Sequence, residues 1–270
     1  PQAELTPTPL QTVAPTLTPI AKDSPVPLDQ PALVERIDVG AALGAASLTG
    51  QIPSDIARIG NRLYVTNWDS ENVSVVEKDR VVATIAVGQE PEDLVAHPEL
   101  NRVYRQGTLS VIDGEQVVDT WQYDAPLESV ILADDRLWGT VGLDTDLRLI
   151  SPQDGSLMGT VSLPLDGRVT CSAAAADGQS IYVTSADKLV RLDTQGLTIL
   201  EQRELPSCRD LAPSADGSVL YACGFDHDAG ESYLMALDAE RLSTMPSVKA
   251  PATPSAIVLG ARRQKAHLLA

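Results

Sequence analysis

The sequence predicts an all-β fold built from repeated small antiparallel sheets. Short runs of Val, Ile, Leu and Thr alternate with Gly, Asp, Asn and Pro from residue 32 onward, as β-strands joined by turns do. Long amphipathic helical patterns are absent, and ALGAASLTG after Gly40 is expected to be an insertion loop. Similar segments also recur at near-constant intervals. Apolar residues make up 43% of the 270 residues and aromatic residues only 4%, so the core is expected to be aliphatic.

Residues 1–31 differ from the rest of the chain. They carry 8 of its 19 prolines, with Thr interleaved, and proline at this density prevents both helix and central strand. We expect an extended Pro/Thr-rich linker that holds the domain of residues 32–270 away from a cell surface; the alternative is a tail without a role. Because the sequence starts with Pro, we expect a processed or truncated product.

Six similar segments follow the linker. They begin near Ile52, Pro91, Leu127, Arg168, Cys208 and Pro254, at spacings of 39, 36, 41, 40 and 46 residues. Each begins with a short strand such as PSDIARI, PEDLVAH or CRDLAPS, and a turn leads to a second strand. The third strand is apolar and usually ends in an acid (VSVVE, LSVID, LVRLD, LMALD), and the fourth alternates polar and apolar residues.

An aromatic residue stands in the second strand of five of these units. We expect it to pack between neighbouring sheets, and we expect the acid that ends the third strand to accept backbone N–H bonds in a turn. The aromatic residues are Tyr64, Tyr104, Trp138, Tyr182 and Tyr221.

Four antiparallel strands in each unit of about 40 residues are typical of a β-propeller blade, because stacked blades cover each other's faces. The segment LVERIDVG at 33–40 resembles the fourth strand VVATIAVG at 81–88, and residues 254–270 supply a first and second strand. We therefore expect six blades, with both chain ends sharing the last. A truncated seven- or eight-bladed ring and two separate domains are the alternatives.

The motif RLYVTN at 62–67, followed by NVSVVEKDRVVATIAVGQEPEDLVAHP, resembles the YVTN family of β-propeller repeats. Weaker copies are IYVTS, LYACG, RVYRQ and RLWGT, and the resemblance covers about residues 33–270. It implies a propeller akin to surface-layer and periplasmic propellers, lactonases, amine dehydrogenases and haem-containing nitrite reductases. Fold alone does not choose among these activities.

The chain is strongly acidic, with 20 Lys and Arg against 37 Asp and Glu and a formal net charge of −17. Such a surface repels phosphate backbones, so nucleic acid is not an expected partner. No apolar run is long enough to span a bilayer. We expect a monomeric, extracytoplasmic protein (periplasmic, cell-surface or secreted) with a lipid or cell-wall anchor upstream and a protein or small-molecule ligand.

The strongest site candidates are Asp55, Asp93 and Asp210, which occupy one position in the first strand of three units. In a propeller that strand lies nearest the axis, so the three carboxylates are expected to converge at one mouth of the central channel. There they could bind a cation or a basic group. Alternatively, each Asp satisfies backbone N–H groups where the chain enters a blade.

Loop residues are weaker candidates. Asp226 and His227 lie in the loop after a second strand, and Trp68 occupies the equivalent loop of the first unit. Loops on one propeller face often carry ligand contacts. No spacing of Cys and His predicts a zinc site, and His97 is expected to be exposed. The G-x-S-x-G, P-loop, G-x-G-x-x-G and C-x-x-C-H motifs are all absent, so no cofactor is expected.

Three cysteines allow one specific hypothesis. If Asp216-Gly217 forms a hairpin turn, Cys208 and Cys223 lie on neighbouring strands, where a slight bulge would bring them to disulfide distance and leave Cys171 free. The alternative is three buried thiols that act as small apolar side chains.

These observations favour a non-catalytic binding or scaffold propeller, exported and tethered by its linker. The alternative is a lactonase-like hydrolase acting at the channel mouth with the three Asp carboxylates and Arg209. A redox subunit is a third hypothesis, although no haem attachment motif supports it.

Overall fold

The computed structural model describes residues 52–105, 107–141, 145–245, 248–250, 254–259 and 266–269. Every regular element in these ranges is a β-strand, which confirms the all-β prediction. The expected linker at 1–31 and the strand expected at 33–40 lie outside the described residues. The proposed domain boundary therefore stays a prediction.

Twenty strands form five four-stranded antiparallel blades, each with its strands in chain order. Blade 1 holds β1 (Pro53–Ile59), β2 (Arg62–Asn67), β3 (Asn72–Glu77) and β4 (Arg80–Ala86). Blade 2 holds β5 (Leu94–His97), β6 (Arg102–Arg105), β7 (Leu109–Asp113) and β8 (Gln116–Trp121). Blade 3 holds β9 (Leu127–Ala133), β10 (Arg136–Val141), β11 (Asp146–Ile150) and β12 (Leu157–Ser162). Blade 4 holds β13 (Cys171–Ala174), β14 (Ser180–Thr184), β15 (Lys188–Asp193) and β16 (Ile199–Glu204). Blade 5 holds β17 (Cys208–Pro213), β18 (Val219–Asp226), β19 (Glu231–Asp238) and β20 (Val248–Lys249).

The expected blade number was wrong. The described residues form five four-stranded blades, rather than six or part of a larger ring. Beyond the fifth blade, β21 (Ala256–Leu259) and β22 (Ala266–Leu269) pair only with each other, as a two-stranded sheet. The sequence carries a sixth repeat start, but that start is followed by strands one and two only. Counting repeat starts therefore gives one blade more than the four-stranded blades that the described residues form.

The core lies between blades. The interface of blades 1 and 2, for example, buries Tyr64, Val75 and Ile85 of one blade against Leu94 and Val103 of the next. Burial of each Val, Leu or Ile side chain among them contributes about 1.5–3 kcal/mol. A single sheet has two faces and cannot cover either of them by itself. Stacking each sheet on its neighbour therefore stabilises the blades.

The strand-two aromatics pack between blades, as expected. The exposed fraction of the five side chains does not exceed 6%. Three of them also donate their hydroxyl to a turn of the next blade, namely Tyr64 to the Gly114 carbonyl at 3.0 Å, Tyr104 to Pro152 at 2.5 Å and Tyr182 to Ala239 at 2.9 Å. Each hydroxyl thereby links its blade to a turn of the next blade.

Two of the acids that end third strands, Asp193 and Asp238, cap the following turns. The Asp193 carboxylate accepts the Gly196 N–H at 2.6 Å, and the Asp238 carboxylate accepts the N–H groups of Glu240 and Arg241 at 3.1 and 2.8 Å. The expectation from the repeat pattern is confirmed at these two positions. The turns beyond β15 and β19 are thereby fixed by carboxylates of their own blades.

Candidate functional site

The first strands of successive blades lie side by side. β1 packs on β5, β5 on β9, β9 on β13 and β13 on β17, and β21 continues the series beside β17. In a propeller these strands surround the central axis. Residues near their N-terminal ends therefore meet at one end of the channel.

An aspartate clasp joins neighbouring blades. In β1, one oxygen of Asp55 accepts the N–H of Ile56 at 2.7 Å, and the other accepts the N–H of Leu94 in blade 2 at 2.7 Å. Asp210 repeats this arrangement, accepting the N–H of Leu211 at 2.8 Å and that of Ile257 in β21 at 2.7 Å. Each carboxylate thus ties its own strand to the next.

Asp93 forms the corresponding clasp between blades 2 and 3. It accepts hydrogen bonds from the Ser129 hydroxyl and the Val130 N–H. The Ser129 and Ser172 hydroxyl oxygens lie 3.0 Å apart. Since the single hydroxyl proton of Ser129 goes to Asp93, Ser172 donates to Ser129, and a hydroxyl chain leads from blade 4 to the carboxylate.

A cavity of about 290 Å³ opens beside this chain. Its polar lining consists of the two carboxylates and the two hydroxyls of Asp55, Asp93, Ser129 and Ser172. The remaining lining is apolar and comprises Leu94, Val95, Val130, Ile131, Leu132 and Ala174. A negative end beside an apolar wall is a chemical asymmetry that can orient a small ligand.

Burial sets the electrostatics of the three aspartates. Loss of hydration raises the pKa of Asp93 to about 6, and the negative charges of Asp55 and Glu92 add to this effect, while the hydrogen bonds from Ser129 and Val130 oppose it. Burial likewise raises the pKa of Asp55 and of Asp210, against the lowering effect of their backbone hydrogen bonds. The negative charge of Asp55 also raises the pKa of each of the other two carboxyls.

Solved structures of other proteins share this architecture. The chain matches hydrazine synthase of Kuenenia stuttgartiensis with a TM-score of 0.69 and 13% identity, over 85% of this chain and 77% of that one. The fold is a β-propeller. A second match is the WD40 β-propeller domain of Doa1, with a TM-score of 0.54 and 12% identity, over 62% of this chain and 58% of that one. At these identities the likeness concerns the fold alone.

No family model matches the chain, and no curated protein matches it. The resemblance to YVTN repeats thus depends on the quoted motifs, whereas the propeller itself is shown by the structure and its structural neighbours.

The propeller brings some of the predicted site residues together and keeps others apart. Asp55 and Asp93 line the cavity, whereas Asp210 faces β21 and does not line it. Trp68 is half-buried in the turn after β2, and its backbone N–H donates to the Ile52 carbonyl at 2.9 Å. Neither Trp68 nor the β18–β19 turn contributes to the cavity lining.

The β18–β19 turn is held by its own contacts. The Asp226 carboxylate accepts the N–H groups of Asp228 and Ala229 at 3.0 and 2.9 Å, which forms an Asx-type turn. His227 is exposed and stands edge-to-face against Phe225, with ring centroids 5.1 Å apart. The hydrogen bonds of Asp226 thus order the loop itself, and its role as a ligand contact stays a prediction.

Sequence reasoning missed Ser172 and misplaced His97. Ser172 lies one residue after the position of its repeat that aligns with Asp55 and Asp93, and no motif marks it out. His97 was expected to be exposed, but it is 1% exposed, and its Nε2 lies 2.8 Å from a carboxylate oxygen of Asp135 in the β9–β10 turn. The neighbouring blade covers it, a contact that one repeat examined alone does not reveal.

The three cysteines are buried free thiols in the structure. The register of β17 against β18 places Cys208 opposite Gly224 and Cys223 opposite Asp210, with a bulge between Cys208 and Asp210. A disulfide between Cys208 and Cys223 therefore stays a prediction that requires a chemical test.

Two further findings bear on partners. Within the described ranges, no group of three or more His, Cys, Asp or Glu side chains is placed to hold a metal ion. Nor does any helix in those ranges have the length and apolarity that crossing a bilayer would require.

Proposed function

We propose that this propeller is a non-catalytic binding module whose axial cavity takes a ligand with an alkylammonium end, such as a short amine or a lysine-like side chain. One observation carries the proposal: the carboxylates of Asp55 and Asp93 share a cavity of about 290 Å³ with six apolar lining residues. The ammonium group would lie at the carboxylates, and the alkyl chain would lie against the apolar wall.

The hydrogen bonding of Asp93 leaves room for such a ligand. An ionised carboxylate has about four acceptor sites, and Asp93 uses two of them, for the Ser129 hydroxyl and the Val130 N–H. An ammonium group would add charge-assisted hydrogen bonds, which are roughly twice as strong as neutral ones. It would also offset the repulsion between Asp93 and the nearby charges of Asp55 and Glu92.

n-Butylammonium is the probe that tests this proposal. We expect it to raise the thermal midpoint of the protein at pH 8, because a ligand that binds only the native state stabilises it. Pentanoate and n-butanol have the same butyl chain without the positive charge and are expected to have no effect. Because the pKa of Asp93 is raised to about 6, the stabilisation by n-butylammonium should weaken at pH 5, where this carboxyl is protonated.

Two variants distinguish the cavity from the general acidity of the surface. Asp93→Asn removes a cavity charge and should abolish the n-butylammonium effect, whereas Asp228→Asn removes an exposed loop charge and should retain it. An equal response of both variants would assign the effect to surface charge. Turnover of sugar lactones that Asp93→Ala abolishes would instead support the lactonase-like alternative.

We further propose that the protein is exported and tethered through residues 1–31, and that it is related to the YVTN-type propellers. The Pro/Thr-rich composition of that segment and the RLYVTN motif at 62–67 support both ideas. Immunodetection in fractionated source cells tests the location. Recovery with the envelope or the medium is the expected result, and recovery only with cytosolic proteins would refute export.

A further inference from the structure

Two cysteine thiols meet where blades 4 and 5 pack together. Cys171 begins β13 and Cys208 begins β17, and these two strands are neighbours around the axis. Both side chains belong to one buried cluster, with Leu205, Leu211 and Tyr233. Their thiols are hydrogen-bonded to each other, and the Cys208 Sγ lies 3.3 Å from the Asp210 carbonyl oxygen.

The third cysteine points to the other side of blade 5. Residues that stand opposite each other in a sheet share a face, and the face alternates along a strand. Cys208 stands opposite Gly224 and clusters with Ala222, whereas Cys223 clusters with Ile257 of β21. A bond between Cys208 and Cys223 would therefore have to pass through the sheet. The bulge at Arg209 places the two cysteines on opposite faces, since it sets Cys208 opposite Gly224 instead of Phe225, the residue that shares a face with Cys223.

We infer that Cys171 and Cys208 are the cysteines of this chain that form a disulfide, and that this bond links blades 4 and 5 when the protein folds in the presence of a small-molecule disulfide. The bond would join two strands that already pack together. It would close a loop that contains the whole of blade 4. Cys223 would remain a thiol.

The chemistry balances with oxidised glutathione as the oxidant. One cysteine loses its proton and attacks the glutathione disulfide, which releases one glutathione thiolate and leaves a mixed disulfide on the protein. The second cysteine, as thiolate, displaces the remaining glutathione. Two protein thiols are oxidised to one disulfide, and one oxidised glutathione is reduced to two thiols, which carry away both protons.

Burial decides when this exchange can occur. The exposed fractions of Cys171 and Cys208 are 9% and 4%, and the hydrogen bond from Cys171 together with burial raises the pKa of the Cys208 thiol. Thiolate formation at Cys208 is therefore suppressed in the folded protein. The exchange must take place during folding or local opening, before blade 5 closes on blade 4.

The experiment is refolding in a buffer of reduced and oxidised glutathione, followed by alkylation of free thiols and digestion with trypsin. Trypsin separates the three cysteines, because they fall in the peptides Val169–Lys188, Glu204–Arg209 and Asp210–Arg241. We expect the first two peptides to be linked, with a mass about 2 Da below their sum, and the third to be alkylated. The thermal midpoint should rise by about 10 °C over that of the reduced protein.

Variants and a second preparation keep the test decisive. Cys223→Ser should retain the linked peptide pair, and Cys171→Ala should lose it. If refolding fails, native protein held in sub-denaturing urea with the same glutathione buffer gives the same measurement. A link between Glu204–Arg209 and Asp210–Arg241, or alkylation of all three cysteines in both preparations, would overturn the inference.

Discussion

Gly224→Ala is expected to lower the free energy of unfolding by about 3 kcal/mol or more, because overpacking against rigid backbone is among the most destabilising single changes. A Cβ at Gly224 would lie 2.0 Å from the Ser207 carbonyl oxygen and 2.9 Å from the Tyr233 hydroxyl. The Ser207 oxygen cannot move away freely, since it accepts the N–H of Phe225 at 3.1 Å. Tyr233 is likewise held by the Pro206 carbonyl at 2.8 Å.

Urea denaturation followed by circular dichroism measures this change. Gly159→Ala in β12 is the matched control, because a Cβ there would have no atom within 4 Å and its φ is not in the left-handed region. The control is expected to change the free energy of unfolding by less than about 0.5 kcal/mol. Equal losses in the two variants would show that the close approach at Gly224 is not what destabilises the fold.

The strand pattern could be predicted from the sequence because each blade repeats the same order of apolar strand segments and turn residues. The expected starts near Leu127 and Cys208 coincide with the first residues of β9 and β17, and those near Ile52, Pro91, Arg168 and Pro254 precede their first strands by one to three residues. Alternating apolar residues and turn residues carry this information locally. The number of blades depends on pairing between distant segments, and that is where the prediction failed.

The aspartate positions were predicted, but their hydrogen bonds were not. Alignment of the repeats places Asp55, Asp93 and Asp210 at the same position of their first strands. Only the structure shows that each accepts a backbone N–H from the next strand around the axis, which is β5, β9 and β21 respectively. This contact depends on how one blade is rotated against the next. The same limit explains Ser172 and His97, since the partner of each lies in a neighbouring blade.

The cysteines show the limit most clearly. Sequence reasoning considered pairs within one hairpin, because only those can be placed by counting residues from a turn. The bulge between Cys208 and Asp210 shifts the register, so Cys208 stands opposite Gly224, whereas counting from the turn places it opposite Phe225. The neighbour that the fold gives to Cys208 is Cys171, 37 residues earlier in the chain and one blade away.

Asp93→Asn is expected to raise the free energy of unfolding at pH 8 by about 3 kcal/mol, which is what a pKa raised from 3.8 to about 6 costs an ionised carboxyl. The sign follows from proton linkage. The folded state binds the Asp93 proton more tightly than the unfolded state does, so this group contributes full stability below pH 3.8 and loses that contribution as the pH rises through about 6. The amide of Asn keeps an acceptor for the Val130 N–H and carries no charge.

Urea denaturation from pH 3.5 to pH 8 checks this prediction. The decline in wild-type stability over the range should become shallower in Asp93→Asn, with a remainder from Asp55 and Asp210, whose pKa values are raised in the same direction. Asp228→Asn should follow the wild-type curve. If Asp93→Asn gains stability and also loses the response to n-butylammonium, the charge of Asp93 is kept for a ligand. If Asp93 only joined the two blades, the uncharged amide of Asn would stabilise the protein more than the carboxylate does. Loss of stability in Asp93→Asn at pH 8 would instead show that the ionised carboxylate stabilises the fold, and this prediction would be wrong.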